Sequence, residues 1–318
     1  MTYATYGQIA ASDFNTLAGG NPTTTSGTLN AVWATGGNDK GYGQTALANV
    51  STGNTVTASG QWANLVNITS NCASHQGTSI TSVTAPTTGG LITYLSAVPT
   101  NLTTIYTSRL NAATQGSTTS NAAVYASTWA NSLTFTHTVT FANGDAARYF
   151  FNSGGQLKLT CAQANSTAGI NLLFNNLASN IGTVAMSAPT SGAVTIVGTS
   201  YNGITKVGGG GTTPTISTNS GYYAMTTSNA NVFTQLASTG PSGYLSTFIR
   251  VIAKSNGTQG SNGDAGSVIT LYTVWDEVPD GLTVGTGSTT TVTAVAPEST
   301  YVANAWGTIS VTGTVTGS

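Results

Sequence analysis

The sequence predicts a mainly β chain with short helices: a small helical N-terminal region followed by a β-sandwich or jelly-roll-like region. Three observations carry this expectation. Leu133, Phe135, His137, Val139 and Phe141 alternate with Thr134, Thr136, Thr138 and Thr140, a period of two that gives a strand one apolar and one hydroxylic face. Before position 80, apolar residues fall instead at helical spacing, in short runs broken by Gly, Asn and Thr. Only 5% of the 318 residues are charged while 39% are hydrophobic, with a net charge of −1. Disorder combines low hydrophobicity with high charge, so this chain is expected to fold behind a surface wetted by hydroxyls and amides. The boundaries read as a helical repeat region over 1–80, a linker and helix over 81–130, and a β-rich domain over 131–318.

Taken in order, the first 80 residues contain a degenerate repeat. Ala11-Ser12-Asp13-Phe14-Asn15-Thr16-Leu17 is echoed by Ala58-Ser59-Gly60-Gln61-Trp62-Ala63-Asn64-Leu65. Each copy follows an extended segment (Gly7-Gln8-Ile9, Thr55-Val56-Thr57), places Ser12 or Ser59 at an expected N-cap, and sets Leu three residues after an aromatic. The first copy runs on through Leu29, Val32 and Trp33, the second through Ile68 and Cys72. Gly36 to Gln44 reads as a tight glycine-rich turn, because no Gly-Lys-Ser/Thr follows to cradle phosphate. Leu102 to Ala113 is helical by spacing, and Gln115 to Asn121 reads as a loop. Leu133 to Ala162 reads as two or three consecutive strands joined by turns at Asn143-Gly144-Asp145 and Asn152-Ser153-Gly154-Gly155. Ile170 to Ile181 is an amphipathic helix expected across a sheet. Strands follow at Ala193–Val197, Gly221–Thr226, Ser246–Ala253, Ser267–Trp275, Thr289–Ala296 and Gly307–Val315, with Lys254 to Gly266 as a long hairpin loop. The last strand is uncharged and rich in Thr, an edge that recruits a neighbour when left open.

The same reading bounds the chemistry. Seven Lys plus Arg are scattered along the chain, whereas nucleic-acid binding needs clustered positive charge, so no nucleic acid is expected. No apolar run is long enough for a transmembrane helix, and MTYATYGQIAASDF lacks a signal-peptide pattern. The product is therefore expected to be made in a cytoplasm and released by lysis. Cys72 and Cys161 read as reduced, buried thiols, with pairing the lesser alternative. His75 reads as a helix-end residue and His137 as a core or interface residue; neither has a ligand partner at metal spacing. The acids sit mostly in turns, and Asp276 and Glu277 would point to opposite faces of a strand, which suits no glycosidase pair. No enzyme, cofactor or metal is expected. The binding candidates are apolar: Phe14, Leu17, Trp33, Trp62 and Leu65, burying against each other or against a neighbouring subunit. Tyr222, Tyr223, Tyr244, Tyr272 and Tyr301 are the candidates for stacking on a glycan, against the alternative that they fill a core or interface.

The series Ile9 to Leu17, Gly41-Tyr42-Gly43-Gln44, Val56-Thr57-Ala58 with Trp62 to Leu65, and His75-Gln76-Gly77 resembles virion structural proteins of tailed bacteriophages, especially large phages of aquatic bacteria. Asp145-Ala146-Ala147-Arg148-Tyr149-Phe150-Phe151-Asn152-Ser153-Gly154-Gly155-Gln156 resembles a second block of the same family. The resemblance implies a particle component without catalytic residues, whose partners are copies of itself and other virion proteins. A tail, baseplate or fibre-associated position is the reading favoured over capsid decoration. A receptor-binding adhesin that recognises a host surface glycan is the alternative.

Overall fold

The computed structural model describes residues 9–23, 25–35, 39–92, 96–189, 192–217 and 221–317. The expected extended segment at Gly7-Gln8 and the turn at Gly36-Gly37-Asn38 lie outside the described residues. The chain forms two compact units. The first combines Met1–Thr114, Thr195–Gly198 and Glu298–Ala305; the second combines Gln115–Val194, Thr199–Pro297 and Trp306–Ser318.

The first unit contains α1 (Ala11–Ala18), α2 (Asn30–Trp33), a π-helical turn (Ala58–Trp62) running into α3 (Ala63–Gln76), and α4 (Ala97–Thr107). Helices this short are marginal in water, so they hold only by sharing a core. Phe14, Leu17, Leu29, Val32, Trp62, Leu65, Leu102 and Ile105 are all buried in it. The expected serine caps are corrected by the structure. Ala10 precedes α1 without a side-chain cap, and Ser12 lies inside its first turn. At the second copy Thr57 does the capping: its extended backbone lets the hydroxyl accept the Gln61 N–H, which leaves Ser59 within the turn. Helix α4 begins before Leu102, because Val98 and Asn101 extend its buried stripe and Pro99 is tolerated in a first turn.

Amide side chains pin the irregular segments of this unit. Asn15 accepts from the Val50 N–H at 2.7 Å and donates to the Val50 carbonyl at 2.9 Å. Asn30 treats Leu47 the same way, Asn101 does so with Thr81, and Gln44 with Ala303. Each pin supplies one donor and one acceptor, the pattern of a sheet ladder without a strand. That explains how a unit so poor in charge satisfies its loops.

The second unit is a pair of antiparallel sheets, with a helical N-terminal region before it in sequence. One sheet is ordered β1-β12-β3-β4-β7, from strands β1 (Gln115–Tyr125), β3 (Gln156–Gln163), β4 (Thr183–Met186), β7 (Ile204–Val207) and β12 (Ser288–Pro297). The other is ordered β13-β2-β11-β10-β9-β8, from β2 (Ser132–Thr140), β8 (Thr215–Ile216), β9 (Ala230–Leu236), β10 (Phe248–Ser255), β11 (Val268–Asp276) and β13 (Ser310–Gly317). Two short strands, β5 (Val194–Ile196) and β6 (Thr199–Tyr201), stand apart from both.

The sheets come together at their β1 and β13 edges, where glycine lets them approach. A Cβ at Gly313 would lie 2.4 Å from Asn121 Oδ1, and one at Gly317 would lie 2.7 Å from the Tyr125 hydroxyl. Farther across, α6 (Gly169–Ile181) packs against β3 of one sheet and β9 and β10 of the other. It is therefore wedged between the sheets, not laid across one. Its Phe174 stacks on Trp275 at 5.8 Å and meets Trp129 edge-on at 4.9 Å. The buried indoles are satisfied by hydroxyls of β12: Trp129 donates to Ser288 Oγ and Trp275 to Thr290 Oγ1.

Three further expectations are corrected. The residues between Asn143 and Asn152 form α5 (Gly144–Asn152), not a strand. Asn143 Oδ1 accepts the Ala146 N–H at 2.8 Å, so its turn chemistry is an N-cap, and Ala146-Ala147-Arg148 favour the helix it starts. Gln115 to Asn121 belongs to β1, and Tyr222–Ala224 is a 3₁₀ turn where a strand was expected. The Lys254 to Gly266 segment joins β10 to β11 as the expected long hairpin, and its loop is tied to α5. Its Gly263 N–H donates to Asp145 Oδ1, and the Asp264 carbonyl lies where a Cβ on Gly144 would sit, 1.9 Å away.

Candidate functional site

The six-stranded sheet buries one face and presents the other. Leu133, Phe135, His137 and Val139 of β2, with Ile269, Leu271, Thr273 and Trp275 of β11, point inward and are buried. The register then fixes the outer rows. Thr312, Thr138, Thr270 and Lys254 align across β13, β2, β11 and β10. The next row is Thr314, Thr136, Tyr272 and Ile252, and the next Thr316, Thr134, Val274 and Arg250. With strands about 4.8 Å apart and alternate residues about 6.8 Å apart along each strand, this is a regular hydroxyl-bearing lattice. Charge enters only at its far side. Lys254 lies over the Tyr272 ring at 5.5 Å and Arg250 over Phe248 at 4.8 Å. Asp276 closes the same side, its carboxyl pushed up by burial and by Asp280 while Arg250 opposes the shift.

The flank beside this face is formed by the β13 and β1 edges. Among the described residues β13 is hydrogen-bonded in its sheet only to β2 and β1 only to β12, and the two edges pack against each other. The uncharged terminal strand is thus an edge strand, as its composition predicts. Residues 116–120 of β1 are exposed on both faces.

The groups capable of chemistry are dispersed and occupied by structural tasks. His137 is fully buried, and burial pushes its imidazole down toward the neutral form; a contact with the Asn121 backbone only partly opposes this. Neither ring nitrogen makes a hydrogen bond of ordinary geometry. His75 packs edge-on against Tyr42 at 5.0 Å near the end of α3. Buried Arg148 pairs with Asp145 at 3.0 Å. Glu277 is fully buried, with Oε1 accepting the Leu282 N–H at 3.0 Å and Oε2 unpartnered. Burial raises its pKa, and the backbone donors only partly offset that. Among the described residues no three His, Cys, Asp or Glu side chains gather as a metal site would require. Both cysteines are free, and burial raises both thiols, Cys161 to about 12. Among the described residues no helix is long and apolar enough to cross a membrane.

The sequence-derived candidates fall in separate places. Phe14, Leu17, Trp62 and Leu65 are buried within the first unit, so they pack against their own subunit. Trp33 is half-buried and its indole donates to the Thr45 carbonyl. Tyr222 is fully buried and stacks on Phe151 at 4.4 Å, which removes it from any sugar-stacking role. Tyr223 is half-buried beside it and donates to Asn152. Tyr244 lies between β9 and β10, Tyr272 on the outer sheet face, and Tyr301 on the first unit with 41% exposure. The tyrosines of the second unit therefore form no single platform. The N-terminal half of β1 escaped sequence reading, because residues 116–120 are exposed on both faces and carry no apolar alternation. Comparison with protein-family models, with curated proteins and with solved structures found no match.

Proposed function

We propose that this chain is a non-enzymatic, self-associating structural protein of a tailed-phage virion, in a tail, baseplate or fibre-associated position. The observation that carries the reading is the outer face of the six-stranded sheet: rows of Thr across β13 and β2, with charge only on the β10 side, ending on the uncharged strand β13. A face of this kind has little electrostatic repulsion between copies. The sequence blocks that resemble virion proteins support the assignment to a particle. Contacts between such surfaces are insensitive to salt, since screening acts on charges.

Light scattering of the purified protein over a concentration series, in low and high salt, tests this. A discrete oligomer of unchanged mass in both salts is expected. A monomer at every concentration would refute self-association.

One observation favours a second reading, the glycan-binding adhesin. Tyr272 sits on the outer face between Thr136 and Ile252, with Lys254 above its ring, an aromatic with a hydroxyl and an ammonium beside it, the kind of groups that bind a sugar. Under that reading Tyr272→Ala, or Tyr244→Ala, abolishes adsorption to cells and leaves assembly intact. Loss of assembly with either variant would count against it.

A further inference from the structure

We propose that Asn262 is a self-modifying residue: the Gly263 amide nitrogen closes on its carboxamide, expels ammonia and leaves a succinimide that water opens to aspartate or isoaspartate. The chain holds four Asn-Gly pairs, at Asn143, Asn202, Asn256 and Asn262, and glycine, lacking a Cβ, hinders such a ring closure least. The structure separates the four. Asn143 Oδ1 accepts the Ala146 N–H at 2.8 Å as a helix cap. Asn256 Oδ1 accepts the N–H groups of Ser267 and Val268 at 3.0 and 2.9 Å. Gly203, which follows Asn202, is buried against Gly221. Asn262 and Gly263 are instead exposed, and a Cβ on Gly263 would meet nothing within 4 Å, so the ring has room to form.

Two side chains of α5 supply the chemistry. The Gly263 N–H donates to Asp145 Oδ1 at 3.1 Å, within the reach a general base needs to the proton it takes. Arg148 Nη2 donates to Asn262 Oδ1 at 3.5 Å, the oxygen on which negative charge develops as the carboxamide carbon becomes tetrahedral. Arg148 is fully buried and fixed to Asp145 at 3.0 Å, so base and oxyanion donor are held as one pair. The turn they act on is held as well: the Asp264 N–H donates to the Ser261 carbonyl at 3.2 Å, and the Ser261 N–H to Asp264 Oδ2 at 2.7 Å. In the first step the Gly263 nitrogen bonds to Asn262 Cγ, its proton passes to Asp145, and the carbonyl electron pair moves onto Oδ1 against Arg148. Collapse breaks the Cγ–Nδ2 bond, and Nδ2 leaves as ammonia with the proton that Asp145 returns. Water then adds to either carbonyl of the succinimide and opens it. The product carries a new carboxylate opposite Arg148, where the loop between β10 and β11 meets α5.

The test follows the native full-length chain at neutral pH by peptide mass mapping, which reads all four Asn-Gly sites, and by isoelectric focusing, which reads the added negative charge. A positioned base contributes about 10²–10⁴-fold, and because Asp145 is shared with Arg148 the low end, about 100-fold, is expected. Asn262 should therefore convert faster in the native chain than in denaturant by that factor, while in denaturant the four sites convert at similar rates. Asp145→Asn should remove the native advantage, and Arg148→Gln should reduce it. A turn that reacts only because it is exposed would behave oppositely, since denaturant and a loosened loop would both speed it. Conversion of Asn262 no faster in the native chain than in denaturant, or a native rate unchanged or raised by Asp145→Asn, overturns the proposal. Should Asp145→Asn unfold, the native and denatured wild-type rates decide alone.

Discussion

Phe174 is the side chain on which the wedge of α6 depends, and truncating it tests that architecture. It is fully buried, stacked on Trp275 of β11 and edge-on to Trp129. Phe→Ala in a core costs about 3–5 kcal/mol, and two aromatic contacts at these distances put the expected loss in the upper half, about 4–5 kcal/mol. For a domain of roughly 150–250 residues each kcal/mol shifts the midpoint by about 2–4 °C, so Phe174→Ala should melt roughly 8–20 °C below wild type. The near-ultraviolet circular dichroism of the two indoles reports the transition directly, because both flank the missing ring. Leu172→Ala is the control on the same helix: Leu172 is 42% exposed, and its loss should cost under about 1 kcal/mol. Equal losses for the two variants, or a Phe174→Ala midpoint within about 2 °C of wild type, would refute the wedge.

Glu277 gives the chain a pH dependence opposite to the usual carboxylate. Burial raises its folded pKa, so its contribution is full below the unfolded value and is lost as pH rises through the folded one. Asp276 is raised in the same sense. The midpoint should therefore fall from pH 5 to pH 8, and Glu277→Gln should flatten part of that slope while keeping the Leu282 N–H satisfied; a slope unchanged by the substitution would refute the assignment. Asn101→Ala removes both hydrogen bonds to Thr81 and should cost about 1–3 kcal/mol in denaturant unfolding. The lower end is favoured because a cavity of about 220 Å³ lined by Thr69, Thr81 and Asn101 admits water to the freed groups. Native protein should leave Cys72 and Cys161 unmodified by a thiol reagent at pH 8, since the thiolate is the reactive form, and denaturant should release both.

How much was legible follows from where each residue's signal came from. β2, β10, β11 and β12 have one buried and one open face, so their period of two was visible, and α6 showed its stripe because only one side is buried. α5 was misread because Tyr149, Phe150 and Phe151 look like strand residues singly; the deciding signal was the Asn143 cap followed by two alanines. β1 had no signal over residues 116–120, which are exposed on both faces. The Ser12 and Ser59 caps failed because capping depends on which backbone turns extended, and Thr57 rather than Ser59 does so. Of the proposed contacts, the large aromatics were legible as buried but not as to whose core they enter. The sheet face was legible on β2 and β13 as alternating Thr, but its rows required the register.

The two blocks that resemble virion proteins turn out to carry structural tasks. In the first, Tyr42 is fully buried and accepts from Gln76 Nε2, Asn15 and Gln44 are amide pins, and Gly77 takes the left-handed conformation that ends α3. In the second, Gly144 makes room for the Asp264 carbonyl, Asp145 holds Arg148 and the Gly263 N–H, and a Cβ on Gly155 would lie 2.6 Å from the Phe150 carbonyl. Every one of these residues is constrained by a close approach or a buried hydrogen bond. Residues with such constraints specify a scaffold. The surface proposed to meet other molecules lies elsewhere, on Thr-bearing strands. Under the proposed self-association, binding is carried by regular backbone and repeated hydroxyls, and substitutions that add charge to the outer face of β2 or to β13 should perturb association far more than exchanges of Thr for Ser.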